Sequence, residues 1–129
     1  MTAQLLAELQ PVLFSGVTGG TIDHQELEFT PVTSNGRVGI DMHVLYSADQ
    51  TGPNGPAAAL VRYAPGATVA PHRHPGFELI HVLSGVLVTD DGVYPTNSMI
   101  VMPPESVHGL GTVEGCLLLV VWEQPVELV

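Results

Sequence analysis

His72 and His74 stand one residue apart, and Glu78 follows four residues after the second, within GATVAPHRHPGFELIHVLSG from Gly66 to Gly85. A third histidine, His108, comes just after Pro103-Pro104-Glu105-Ser106-Val107. Imidazole and carboxylate are good ligands for first-row divalent metals, and two histidines with a carboxylate already make a minimal non-haem site. Residues i and i+2 of a β-strand point to the same face. His72 and His74 would therefore share one side, with Arg73 on the other. Pro75-Gly76 can bend the chain so that Glu78 re-enters the same interior. An HxH pair alone also fits surface or core histidines, and a lone Glu78 could pair with Arg73. An apolar strand does not readily bury two imidazoles and a carboxylate without a partner. The joint pattern, with a glycine at each end and a downstream Pro-x-x-x-x-His, points to a metal site built on adjacent strands.

These residues resemble the cupin family. Gly66, His72, His74, Glu78 and Gly85 fit its first motif without a gap. In the second motif Pro103 and His108 stand in register, while Asn97 and Glu105 replace the two glycines and Thr112 replaces the asparagine. Those departures bear on the turn geometry around His108. From Val44 to Trp122 the chain is similar to the sensor domain of ChrR-type anti-sigma factors and to acetylacetone-dioxygenase-like cupins. The resemblance implies an all-β cupin double-stranded β-helix, a small β-barrel of jelly-roll type. It also implies His72, His74, Glu78 and His108 as metal ligands for one divalent transition metal per chain, Fe, Zn, Mn or Ni. Glu78 is the candidate catalytic group, either remaining a ligand or leaving the ion to act as base.

The 129 residues fit one domain with a single core. Apolar residues make up 45%, and 14 glycines and 11 prolines punctuate short apolar runs, as in a sandwich or barrel. No internal repeat is visible, so the expectation is an N-terminal helix and arm over 1–20 and a single barrel over 21–129. Three Lys+Arg stand against 13 Asp+Glu, a formal net charge of −10, which cannot furnish the basic patch of a nucleic-acid reader. No apolar run is long enough to span a bilayer and no secretory leader is recognisable, so a cytoplasmic protein with no membrane partner is expected. Cys116 is the single cysteine, in the strand-like apolar run Gly115 to Trp122, and reads as a buried inert thiol.

Thr2 to Gln10 reads as a short helix, with Leu5, Leu6 and Leu9 on one face and Pro11 beyond. Strands are expected over 26–31, 39–46, 57–64, 78–83, 85–89, 93–94 and 99–102, with 47–56 a loop by composition. His24 reads as a surface residue. His43 reads as solvent-facing or hydrogen-bonded, or as facing the cavity if the register turns it inward. His81 alternates with Ile80 and Val82 and points away from a site on their side. Ile80, Val82, Met99 and Val101 are the candidate apolar pocket wall, with Phe77 near the mouth. Arg62 and Tyr63 alternate, so one of them is placed to line the pocket. Arg62 is the candidate, as a fork for a carboxylate or enolate, unless it pairs with one of the acids.

Three His and one Glu leave open positions on the ion, which permit Lewis-acid chemistry, water activation or O₂ chemistry. The first functional reading is a dioxygenase-like enzyme acting on a small diketone or enolisable molecule. The second is a metal-dependent sensor. ChrR-type factors carry a separate zinc-binding N-terminal domain, and a short stretch before Val44, with one cysteine in the whole chain, leaves a freestanding sensor as the expectation. The third is a Zn-dependent isomerase or cyclase. Apolar terminal segments and exposed edge strands suggest a homodimer, with a small organic molecule as the ligand.

Overall fold

The computed structural model describes residues 27–129. The helix and arm expected over 1–20 lie outside them. In chain order the strands are β1 (Thr30–Pro31), β2 (Arg37–Tyr46), β3 (Ala57–Arg73), β4 (Glu78–Thr89), β5 (Gly92–Pro95), β6 (Met99–Met102), β7 (Val107–Gly111), β8 (Cys116–Trp122) and β9 (Glu127–Leu128). One short helix, α1 (Ala48–Thr51), lies between β2 and β3. No helix among the described residues is long and apolar enough to cross a membrane.

Two long strands organise the barrel. β3 pairs along its first half with β8 (Ala57 to Tyr63) and along its second half with β7 (Thr68 to Arg73). β4 does the converse, meeting β8 from Glu78 to Gly85 and β7 at Val88 and Thr89. The circuit β3–β8–β4–β7–β3 is therefore closed by hydrogen bonds, as a small barrel requires. β2 flanks β3, and β5 and β6 flank β4. Alternating apolar residues of these strands meet inside, with Ile40, Met42, Val61, Ile80, Val82, Leu87, Leu118 and Val120 all below a tenth exposed. Each such side chain contributes roughly 1.5–3 kcal/mol by leaving water.

Three of the register shifts let two strands serve both halves. The β2–β3 register shifts between Tyr63 and Thr68, around Pro65-Gly66. The β3–β7 register shifts between Val69 and His72, where Ala70-Pro71 carry one residue more than the partner. The β4–β8 register shifts between Val82 and Ser84. An odd residue added to one strand inverts which side chains face inward beyond it. That inversion is why β3 buries Tyr63, Ala67 and Val69 but then His72 and His74.

Two expectations change in the structure. The stretch 47–56 is not wholly loop. Ser47 Oγ accepts the Asp49 amide while Gln50 Oε1 accepts the Ser47 amide at 2.8 Å, a capping box that starts α1. The strand expected over 26–31 is, among the described residues, only Thr30–Pro31.

Gly66 and Gly85 bound the metal-motif stretch, and both have left-handed φ, +79° and +80°. A Cβ on Gly66 would meet nothing within 4 Å, whereas one on Gly85 would press into the Gly115 carbonyl and lie 2.7 Å from Cys116 Cα. Gly66→Ala should therefore cost only the backbone strain, about 1–2 kcal/mol. Gly85→Ala should add a backbone clash and cost about 3 kcal/mol or more. Urea denaturation of the two variants checks the order; equal losses would contradict it.

Candidate metal centre

β3, β4 and β7 each deliver ligands to one point. His72 and His74 come from the end of β3 and the residue after it, Glu78 opens β4, and His108 lies in β7 directly opposite His72. All four are at most 3% exposed, and one donor atom from each lies within 4.8 Å of the others. The three imidazoles stand edge to face, with ring centroids 4.5–4.9 Å apart. The turn after His74 is clamped by Glu123, whose amide donates to the Phe77 carbonyl at 2.9 Å while its carboxylate accepts the Phe77 amide. On the other side, the His74 amide donates to Ser106 O and the Glu105 amide to His74 O, at 2.9 and 2.7 Å. The loop carrying His108 is thereby held against the strand end carrying His74.

The turns of the second motif survive without their glycines. Asn97 and Glu105, standing where the cupin pattern has glycine, both adopt φ of +72°. The left-handed backbone is kept at a strain cost of roughly 1–2 kcal/mol per residue, least for Asn. Thr112, in the asparagine position, is buried and donates its hydroxyl to Val86 O at 2.7 Å while accepting the Gly115 amide at 3.0 Å.

Hydrogen bonding fixes which nitrogen faces the centre. His72 Nδ1 donates to the Ala70 carbonyl at 2.9 Å, which leaves Nε2 as its free lone pair. The Ser106 hydroxyl donates to the Pro103 carbonyl at 2.6 Å, so at 3.1 Å it accepts the proton of His74 Nδ1. His74 Nε2 then meets Glu78 Oε1 at 3.1 Å, and His108 Nε2 meets the same oxygen at 3.2 Å. These are ion-pair distances, yet these three atoms are buried with no hydrogen-bond partner among the described residues. Burial alone would raise the Glu78 carboxyl, but the His108 and His74 imidazoles beside it outweigh that and hold it at about 2. Burial likewise lowers the His72 imidazole, which favours its neutral, ligating form. A proton could satisfy one of these facing pairs; one divalent cation satisfies all four donors. The chain thus has a buried His₃Glu set that fits a metal ion, with no feature that selects which metal.

Arg73 is not the partner of Glu78. It points outward, as strand alternation requires, and pairs with Glu105 and Glu127. His81 stands opposite Met99 on the outer side of β4 and is away from the centre. His43 Nδ1 donates to the Glu28 carbonyl at 2.9 Å and the ring packs near Phe29, so it is hydrogen-bonded outside the cavity. His24 lies outside the described residues. The Cys116 thiol is buried and pushed up to about 11 by that burial, in keeping with an inert neutral group.

The expected pocket wall is corrected in part. Beside His72 and Glu78 lies a cavity of about 20 Å³, room for one water-sized molecule. Ile80 lines it, while Val82 is fully buried in the core. Met99 and Val101 are each 57% exposed and face outward. The β4–β6 register sets Glu78 opposite Met102 and Ile80 opposite Ile100, so it is Ile100 and Met102 that share the inner side. Phe77 is half exposed and outside the cavity lining. Arg62 also points outward, bonding Asp41 at 3.2 Å with its guanidinium 4.1 Å from the Phe29 ring centroid. Its neighbour Tyr63 is the inward residue of the pair. Arg37 and Trp122 also line the cavity and were not foreseen. The strand read from sequence began at Gly39, so its alternation said nothing of Arg37.

Ser106 is the hydroxyl that sets the His74 tautomer, and such outer partners are typically worth roughly 10–100-fold in metal affinity. Ser106→Ala should lower affinity by about that factor with the fold intact, measured by competition with a chromogenic chelator. Unchanged affinity would show that the backbone alone orients His74.

Known structures share this architecture. The polyketide cyclase RemF from Streptomyces resistomycificus is 24% identical, covering 84% of this chain and 83% of its own, with a TM-score of 0.66. A putative acetylacetone dioxygenase from Methylibium petroleiphilum is 14% identical, covering 92% and 85%, with a TM-score of 0.72. A chain of the Rhodobacter sphaeroides SigE complex with the anti-sigma ChrR is 16% identical, covering 92% and 73%, with a TM-score of 0.62. At these identities the likeness is one of fold. No curated protein sequence matches the chain significantly. Residues 18–126 match the ChrR Cupin-like domain family, a span that takes in all four donors, and the chain belongs to that family.

Proposed function

We propose that this cupin is a metal-dependent enzyme of dioxygenase-like type, acting on a small diketone or otherwise enolisable molecule. The observation that carries the reading is the convergence of four buried donors, with unpaired lone pairs facing one another, beside a cavity. A divalent transition ion there supplies Lewis-acid polarisation and, when redox-active, the electron transfer that O₂ chemistry needs. The chain's own residues do the rest. His72 and His74 are locked by Ala70 and Ser106 in the tautomer that ligates. Glu78, ionised and shared between two imidazoles, is the one group at the centre able to take a proton from carbon next to a carbonyl. Ile80, Val69 and Val120 exclude water from that transfer. Two solved relatives, a polyketide cyclase and a putative acetylacetone dioxygenase, are compatible with enolisable substrates. We further propose that the protein acts as a homodimer, since Val38, Val44, Val93 and Val113 are all more than half exposed.

Metal analysis by mass spectrometry on protein purified without a nickel column should give near one transition ion per chain, and His72→Ala should lose most of it. Chelation should lower the melting temperature of the wild type by several degrees, as ligand linkage requires. Oxygen uptake with acetylacetone should follow iron or manganese loading and vanish in Glu78→Gln. Turnover without O₂ consumption would replace the oxygenase reading by Lewis-acid isomerase or cyclase chemistry. Metal bound with no turnover of any diketone or enol would replace it by a sensor. Light scattering at micromolar concentration should give twice the 13.6 kDa chain mass; a monomer would reject the dimer.

A further inference from the structure

The chain has three Lys+Arg, the arginines 37, 62 and 73, against 13 acids. Arg62 pairs with Asp41, and Arg73 with Glu105 and Glu127. Arg37 alone has no carboxylate within ion-pair distance among the described residues. It is half-buried, its Nη1 donates to Ser34 O and Ser34 Oγ at 3.1 and 3.3 Å, and it lines the same cavity as His72 and Glu78. Its Nη2 and Nε bond no described residue. In so acidic a chain, an unpaired guanidinium taken partly out of water is unusual, because burial penalises it.

Tyr63 is the second observation. It is 4% exposed, lines the cavity, and its hydroxyl bonds to no described residue. Buried tyrosine hydroxyls ordinarily find a partner. Its phenol is pushed well above its usual range by burial, so it remains a neutral donor. Around one small cavity there are thus two of the metal-ligand side chains, a cation with free donors and a free hydroxyl, with Met42, Val61 and Leu110 also in the lining.

We infer that Arg37 and Tyr63 form an oxyanion-recognition wall opposite the metal ligands, selecting a small ligand that carries a carboxylate or enolate oxygen. The inference rests on the metal reading above. With neutral histidines, Glu78 offsets half the charge of a divalent ion, and Arg37 leaves the cavity net positive. A neutral ligand leaves that charge unanswered, whereas an anion completes it. Arg37 offers the free edge of its fork to one oxygen, and Tyr63 donates to an oxygen as well. The cavity as it stands holds about one water-sized molecule, so the ligand enters with a shift of Arg37, Met42 or Trp122, which also line the apolar groove next to it.

The test uses whole protein reconstituted with Co(II), whose visible spectrum reports on ligands, titrated with acetate and with its neutral isostere acetamide. Acetate should bind at least tenfold more tightly than acetamide. Arg37→Gln should weaken acetate roughly tenfold or more and change acetamide less than twofold, while Arg37→Lys should recover part of the loss. Tyr63→Phe should weaken both probes by a few-fold. Thermal melts and one Co(II) per chain establish that each variant is folded and loaded. Acetate affinity indifferent to Arg37→Gln in a loaded protein would overturn this inference and leave the metal reading standing. Failure of the wild type to take up Co(II) would overturn both.

Discussion

Four lone-pair donors confront one another inside an apolar barrel, and most irregularities of the fold answer to that confrontation. Burying an ionised carboxylate costs several kcal/mol unless it is compensated. Glu78 Oε1 faces the Nε2 atoms of His74 and His108, and the outer bond to Ser106 makes the His74 Nε2 a bare lone pair, so that ring by itself does not compensate the carboxylate. The arrangement is therefore balanced only when a cation stands at its centre. The two outer bonds, to Ala70 O and Ser106 Oγ, keep the rings from rotating into a less repulsive but useless arrangement.

The barrel suits this task because its closing circuit passes through the ligand strands. His72 and His108 are paired across the β3–β7 ladder, Glu78 is held between β6 and β8, and His74, just past β3, is held by backbone bonds to Ser106 and Glu105. Outside the wall, Arg73 ties the same strand end to Glu105 and Glu127, and the alternation that sends His72 and His74 inward sends Arg73 out. One short segment thus serves the site on one face and the surface on the other.

What the sequence disclosed follows from the range of its rules. The His72–His74 pair with Glu78 was legible because alternation and one Pro-Gly bend are local. The same rule failed for Met99 and Val101, because their facing depends on the register of β6 against β4, across a turn at Asn97 with φ of +72°. It left Arg62 and Tyr63 undecided, since alternation says that they differ and not which is inside. Asn97 and Glu105 broke the glycine pattern in letters while keeping its backbone, which only dihedral angles reveal. Arg37 had no local signal at all; its place depends on β2 running past Gly39 toward the mouth of the barrel.

The bulge at Ala70-Pro71 is a counting device. Upstream of it the odd-numbered residues of β3 face inward, and downstream the even-numbered ones do. Loss of one residue there would turn both imidazoles to solvent and bring Arg73 into the interior. The site's existence thus hangs on an integer, the length of one strand between two fixed pairings, and no change of side chain elsewhere can restore it. Substitutions can drift through the walls of this barrel without moving the four donors, provided that the count is kept.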